Sequence, residues 1–183
     1  MDIEGTVRKL GPVDSGPLSE KVLSMKKEAW QAQQYRQKAY SVHEHTQSLV
    51  MVFCQGWPEI KVTREPAWDA LEETAVPLMH HIIKNFYPHG GTIIRAMAAK
   101  LVAGGIISPH RDTHDSFSHA HRVHIPLTTN DGVRFMINGR PHRFEVGQAY
   151  EVNNQKNHSV MNNGSEDRIT FIFDYLPPGG APT

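Results

Sequence analysis

Val133-Arg-Phe-Met-Ile-Asn-Gly-Arg-Pro-His-Arg-Phe144 decides how this chain is read. Asn138-Gly139 is the residue pair that best accepts positive φ at both central positions of a two-residue turn. Val133–Ile137 and Pro141–Phe144 are therefore expected to fold back on one another as a hairpin. Outward from this hairpin, runs of strand formers recur at intervals of about ten residues. They cover roughly 92–102, 121–128, 132–137, 141–145, 149–152, 158–162 and 168–175. Turn signals separate them: Gly104-Gly105, Asn130-Asp131-Gly132, Gly147 and Asn162-Asn163-Gly164. Seven short strands at such spacing predict a sandwich or barrel built of two sheets.

Upstream the pattern changes. Ser19 can cap a helix over about 19–40, a run dense in Glu, Lys, Gln, Ala and Met. A second helix is expected over about 67–87, because Leu71, Ala75, Leu78, Ile82 and Phe86 recur at helical steps. Pro77 inside it implies a kink or a break. Leu49–Phe53 is a short apolar run of strand type. The fold class is α+β with a mainly β core, in one domain over 1–183. Its expected parts are a loose arm (1–17), helical support (18–90), the β core (91–176) and a tail (177–183).

Composition bounds the function. A chain of 183 residues suffices for one domain and needs no covalent staples. Lys plus Arg equals Asp plus Glu at 19 each, so the basic excess of a general nucleic-acid or membrane-surface binder is missing. The one cysteine, Cys54, rules out a disulfide framework and any zinc site of several thiolates. No run approaches the ~20 apolar residues of a membrane span. Residues 1–16 lack a signal-peptide pattern, and the expected location is cytoplasmic. The count that stands out is 12 histidines, five of them between His110 and His124.

Two of these histidines, together with one aspartate, carry a specific chemistry. In an extended His110-Arg111-Asp112 segment, residues two apart point the same way, so His110 and Asp112 can reach one metal. His158 follows at the start of a later strand. Two imidazoles and one carboxylate form the facial set of non-haem Fe(II) oxygenases, which leaves positions open on the metal for other ligands. In Arg168-Ile-Thr-Phe-Ile-Phe-Asp174, alternation puts Arg168, Thr170, Ile172 and Asp174 on one face and Ile169, Phe171 and Phe173 on the other. If the first face lines a barrel interior, Arg168 points inward and needs an anion there. Arg122-Val-His124 places a second cation and another imidazole on one strand face in the same way.

The stretch from Ile94 to Asp174 resembles the aspartyl/asparaginyl β-hydroxylase family of Fe(II)- and 2-oxoglutarate-dependent oxygenases. The resembling pieces are Leu101-Val-Ala-Gly-Gly-Ile-Ile-Ser-Pro-His-Arg-Asp112, His121-Arg-Val-His-Ile-Pro-Leu127, Gly132-Val-Arg-Phe135 and Gly147-Gln-Ala-Tyr-Glu-Val-Asn-Asn154. His158-Ser-Val-Met-Asn162 and Glu166-Asp-Arg-Ile169 complete them. The resemblance implies a double-stranded β-helix, a cupin-like jelly roll with amino-terminal helices packed on it. It implies that His110, Asp112 and His158 hold Fe(II), and that Arg168 binds the distal carboxylate of 2-oxoglutarate with Arg122 and His124 in support. Dioxygen is the further reactant, with ascorbate as a supporting reductant. Two departures matter: Asp112 stands where the animal members have glycine, and Ala99 where they have serine. The complete metal set matches bacterial members that hydroxylate small molecules, and it favours hydroxylation over halogenation.

The expected function is hydroxylation of an unactivated carbon of an amino acid or other small molecule, giving succinate and CO2. No nucleic-acid or membrane partner is expected. The alternatives are a non-catalytic cupin-like module that binds a metal or small acid, and hydroxylation of Asp, Asn or Pro in a peptide or protein. His114, His119 and His121 are expected at the mouth of the site. His80, His81, His89 and His142 are expected to be structural or solvated, and His43 and His45 precede a strand without an assigned role. Trp30, Trp57 and Trp68 are expected as core anchors, and Cys54 as an inert thiol.

Overall fold

A computed structural model describes residues 1–32 and 45–180. Among the described residues, eleven strands form two antiparallel sheets. The first six are β1 (Val7–Pro12), β2 (Thr46–Gln55), β3 (Lys61–Arg64), β4 (Thr92–Leu101), β5 (Ile106–His110) and β6 (His121–Pro126). The rest are β7 (Val133–Ile137), β8 (Arg140–His142), β9 (Gln148–Val152), β10 (His158–Asn162) and β11 (Arg168–Leu176). The large sheet runs β1-β9-β6-β11-β4-β2-β3 and the small one β5-β10-β7-β8.

Leu101, Phe135, Ile137, Phe144, Tyr150, Val152 and Val160 fill the space between the sheets, which closes the jelly roll. The Asn138-Gly139 turn forms as expected: Ile137 pairs with Arg140, and the two turn residues have φ of 49° and 73°.

Helices cover the outer face of the large sheet: α1 (Gly16–Leu23), α2 (Lys27–Gln31) and α3 (Trp68–Phe86). Leu71, Ala75, Met79 and Ile82 of α3 share one buried cluster with Ala96, Ala98, Val123, Ile125, Phe171 and Phe173 of the sheet. This helical stripe meets the strand residues that alternation turns outward, so one period-3.6 pattern covers one period-2 pattern. The helix continues through Pro77 as a single element instead of breaking there.

Three expectations change. The arm over 1–17 is not loose: β1 pairs with β9, buries Leu10, and runs into α1. Gly11, at φ 113°, sits in the irregularity between Lys9 and Gly11, so a bulge interrupts the alternation that would have signalled a strand. Within 18–90 the strand expected at Leu49–Phe53 forms as β2, and β3 adds an unexpected edge strand to the large sheet. The helix expected over 19–40 ends at Leu23, resumes at Lys27 and reaches Gln31; its last part, with His43 beyond it, lies outside the described residues. The strand β5 also escaped prediction, because Ser108-Pro109 reads as a breaker. At a sheet edge, proline needs no ladder donor.

Candidate active site

The end of β5 meets the start of β10. His110 and His158 are register partners, and their ring centroids lie 4.3 Å apart. Asp112 follows β5, its N–H reaching the Asn154 carbonyl at 3.4 Å. One ligand atom from each of His110, Asp112 and His158 lies within 4.8 Å of the others, a spacing that suits a single metal ion. Both imidazoles are oriented by backbone carbonyls: Nδ1 of His110 donates to Ser108 O at 2.8 Å, and Nδ1 of His158 to Lys156 O at 3.0 Å. A carbonyl only accepts, so the proton is on Nδ1 and the lone pair on Nε2 is left for a metal. Nε2 of His110 faces Asp112 Oδ1 at 3.9 Å. Burial holds the pKa of His158 below the ordinary histidine value, which favours the neutral form that ligates.

The other oxygen of Asp112 is held by Arg122, with Nη1 to Oδ2 at 2.9 Å. Arg122 also grips Asp174, its register partner on β11, through Nε–Oδ1 at 2.8 Å and Nη2–Oδ2 at 2.9 Å. Burial opposes the charge of Arg122, but Asp112 and Asp174 outweigh that and raise its pKa. Arg122, expected beside the co-substrate, thus directs its donors to two carboxylates of the protein. Arg95 on β4 completes the cluster. Its Nη1 lies 2.8 Å from Ser116 Oγ and 3.6 Å from Asp174 Oδ2. Ser116 opens the short helix α4 (Ser116–His119). The ring of Phe117 stacks on both guanidiniums, at 4.5 Å from Arg95 and 4.4 Å from Arg122.

Arg168 differs from these two. It is 5% exposed, and among the described residues no acceptor binds its guanidinium; its one charge-related neighbour is the Phe135 ring at 5.8 Å. Burial alone pushes its pKa down to about 10. A buried cation without a counter-ion is costly, so this pocket fits a ligand carboxylate. His124 is also buried, and neither ring nitrogen has a hydrogen-bond partner among the described residues. Burial, then Arg122, Arg168 and His158, hold its pKa well below the ordinary value, so the ring is neutral. Its ring lies 5.8 Å from that of Phe135, which also flanks His158 at 6.5 Å and Arg168 at 5.8 Å. The Thr170 hydroxyl, on the Arg168 face of β11, is buried and has no hydrogen-bond partner among the described residues either.

The other histidines separate. His114 is exposed, with Nδ1 2.8 Å from Ser116 Oγ, and His119 packs on Trp57 at 4.8 Å. His121 is not at the mouth. It lies on the helix-facing side of the large sheet, 2.6 Å from Glu151 and against the Tyr87 ring at 4.4 Å. Strand alternation explains this, since Arg122 faces inward and its neighbour must face out. Cys54 is buried and its pKa is raised by desolvation, so it is unreactive. Sequence reading missed Arg95, Ser116 and Phe117; Arg95 is legible only once β4 is known to line the interior.

A double-stranded β-helix that gathers two histidines and an aspartate where β5 meets β10, with a buried arginine that has no acceptor among the described residues, defines a non-haem Fe(II)- and 2-oxoglutarate-dependent oxygenase. The chain belongs to the aspartyl/asparaginyl beta-hydroxylase family, whose profile matches residues 19–178. No curated protein matches it in sequence. Among solved structures it is similar to a prolyl hydroxylase from Trichoplax adhaerens in complex with a hypoxia inducible factor peptide fragment. There the TM-score is 0.61 at 13% identity, covering 97% of this chain and 86% of that one. It is also similar to a 2OG-Fe(II) oxygenase family oxidoreductase from Burkholderia pseudomallei, at TM-score 0.57 and 12% identity, covering 92% and 95%. A viral collagen prolyl hydroxylase from Paramecium Bursaria Chlorella virus-1, in a 2OG complex, gives 0.55 and 9%, covering 95% and 97%. At these identities the structures speak to the fold.

Proposed function

We propose that the protein hydroxylates an unactivated carbon of an amino acid or another small molecule. His110, Asp112 and His158 would hold Fe(II), and Arg168 would receive the far carboxylate of 2-oxoglutarate. Bound iron, with 2-oxoglutarate and dioxygen, supplies the oxidising power for C–H hydroxylation and leaves succinate and CO2.

The protein's own part is orientation and dryness. The Ser108 and Lys156 carbonyls fix the two imidazoles in the ligating tautomer. Arg122 fixes one oxygen of Asp112, which turns the other toward His110. His124 stays neutral and would offer the co-substrate a ring nitrogen that has no partner among the described residues, without adding charge. The observation that carries this reading is Arg168, a buried guanidinium with no acceptor among the described residues.

Oxygen uptake and succinate release, measured with Fe(II), ascorbate and 2-oxoglutarate across a panel of amino acids, test it. Turnover that depends on 2-oxoglutarate and is lost in His110→Ala and His158→Ala is expected. Unchanged turnover in both variants would overturn the metal assignment.

A further inference from the structure

We propose that residues 2–6 form a strap that positions two of the metal ligands, and that Asn153 is the positioning residue through which the strap acts; this rests on the metal site proposed above. The link runs through the loop 153–157, which joins β9 to β10. Two carbonyls of this loop reach the candidate metal centre. Asn154 O accepts the Asp112 N–H at 3.4 Å, and Lys156 O accepts from Nδ1 of His158 at 3.0 Å. Each carbonyl aims one ligand, so a displacement of the loop is passed on to both Asp112 and His158.

Asn153 ties this loop to the strap. It is fully buried, and its Nδ2 donates to Asp2 Oδ1 at 2.7 Å, Ile3 O at 2.9 Å and Gly5 O at 3.0 Å. Its backbone N–H donates to Thr6 O at 3.0 Å. Four acceptors of the strap thus converge on one residue. On the loop side, Asn153 Oδ1 accepts the Gln155 N–H at 3.2 Å, and the Asn153 carbonyl accepts the Lys156 N–H at 3.2 Å. The same side chain therefore shapes the loop with its oxygen and holds the strap with its nitrogen. Gly5 supplies the turn that brings the strap's carbonyls to that nitrogen, with φ at 79°. Asp2, Glu4 and Gly5 are exposed, and an open cleft of about 460 Å³ is shared between the strap and Asn138 and Arg140. Hydrogen bonds to a buried amide, more than apolar packing, keep the strap in place. An amide buried without its acceptors is costly, so seating the strap and ordering the loop are one event.

Two measurements on the full chain test this: Co(II) titration read by the visible absorption of the bound ion, and amide hydrogen exchange of the metal-free protein. Asn153→Asp keeps an oxygen for the Gln155 N–H and removes the donor that holds the strap. It is expected to weaken Co(II) by about tenfold or more, shift the absorption bands, and speed exchange of the Asp112 amide. Adding Asp2→Asn to that variant puts a donor where the strap had an acceptor, and is expected to recover part of the affinity. Gly5→Ala strains the turn alone, since the added Cβ meets no atom within 4 Å. The same changes are expected there in smaller measure, which keeps the test decisive if Asn153→Asp does not fold. Unchanged Co(II) affinity and spectrum in every variant that folds, even with a lowered Tm, would make the strap merely structural and overturn the proposal. A loss in Asn153→Asp that Asp2→Asn leaves untouched would overturn it as well. Absence of Co(II) binding by the native chain would overturn the metal site itself, and the strap's role with it.

Discussion

His110 and His158 stand directly opposite one another on β5 and β10, so two residues far apart in the chain become adjacent through backbone pairing alone. Their proximity does not depend on a mobile loop. Removing either imidazole should therefore leave the fold intact and the metal weakly held. His110→Ala and His158→Ala are expected to lower Co(II) affinity by about 100-fold or more, read by the visible absorption of the bound ion.

Arg122 bridges Asp112 to Asp174, and the bridge predicts a coupled loss. Arg122→Met removes the cation that bridges Asp112 and Asp174, leaving Asp174 with Arg95 at 3.6 Å. The variant is expected to lose about 3–5 kcal/mol of stability in urea unfolding. Metal affinity should also fall, by about 10–100-fold, because Asp112 loses its orientation. A variant that lost stability with unchanged metal affinity would sever Arg122 from the metal site.

Arg168 predicts the opposite sign for stability. Its guanidinium is buried without a counter-ion among the described residues, so Arg168→Met is expected to leave the ligand-free protein as stable as the native one or raise its Tm. The same change should weaken 2-oxoglutarate binding by about 2–5 kcal/mol in titration calorimetry. A fall in Tm with unaltered 2-oxoglutarate binding would mark Arg168 as structural.

The buried imidazole of His124 makes stability depend on pH. Its folded pKa lies below that of the unfolded chain, so the unfolded state binds more protons as pH falls. Its contribution is fully present above about pH 6.5 and is lost below that. His114, His142 and His158 are shifted in the same direction and add to the effect. The Tm of the metal-free protein is expected to drop between pH 7 and pH 5, with a shallower slope in His124→Phe. An identical slope in that variant would remove His124 from the explanation.

Some of this was legible in the residues. Asn138-Gly139 announced its hairpin because the turn depends on local backbone freedom. Alternation in Arg168–Asp174 announced an inward arginine and an outward aromatic face, because a strand has only two sides. β1 and β5 were hidden by Gly11 and Pro109, which read as breakers unless the sheet edge is known. Arg95 was hidden for a different reason. Its importance comes from Asp174, Ser116 and Phe117, which only the assembled sheet brings to it. His121 was misplaced because five histidines close in sequence look like one cluster, whereas strand geometry sends neighbours to opposite sides.

The central strand β11 shows what the site depends on. One side carries Arg168, Thr170 and Asp174, and the other carries Phe171 and Phe173 in the helix-covered core. A slip of one residue along β4 and β6 would turn the aromatic rings into the cavity and drive the charged groups into the hydrocarbon layer. Neither side tolerates that exchange, so the register that folds the protein is the same register that aims its charges. Alignment of the cavity is thereby enforced by the core behind it.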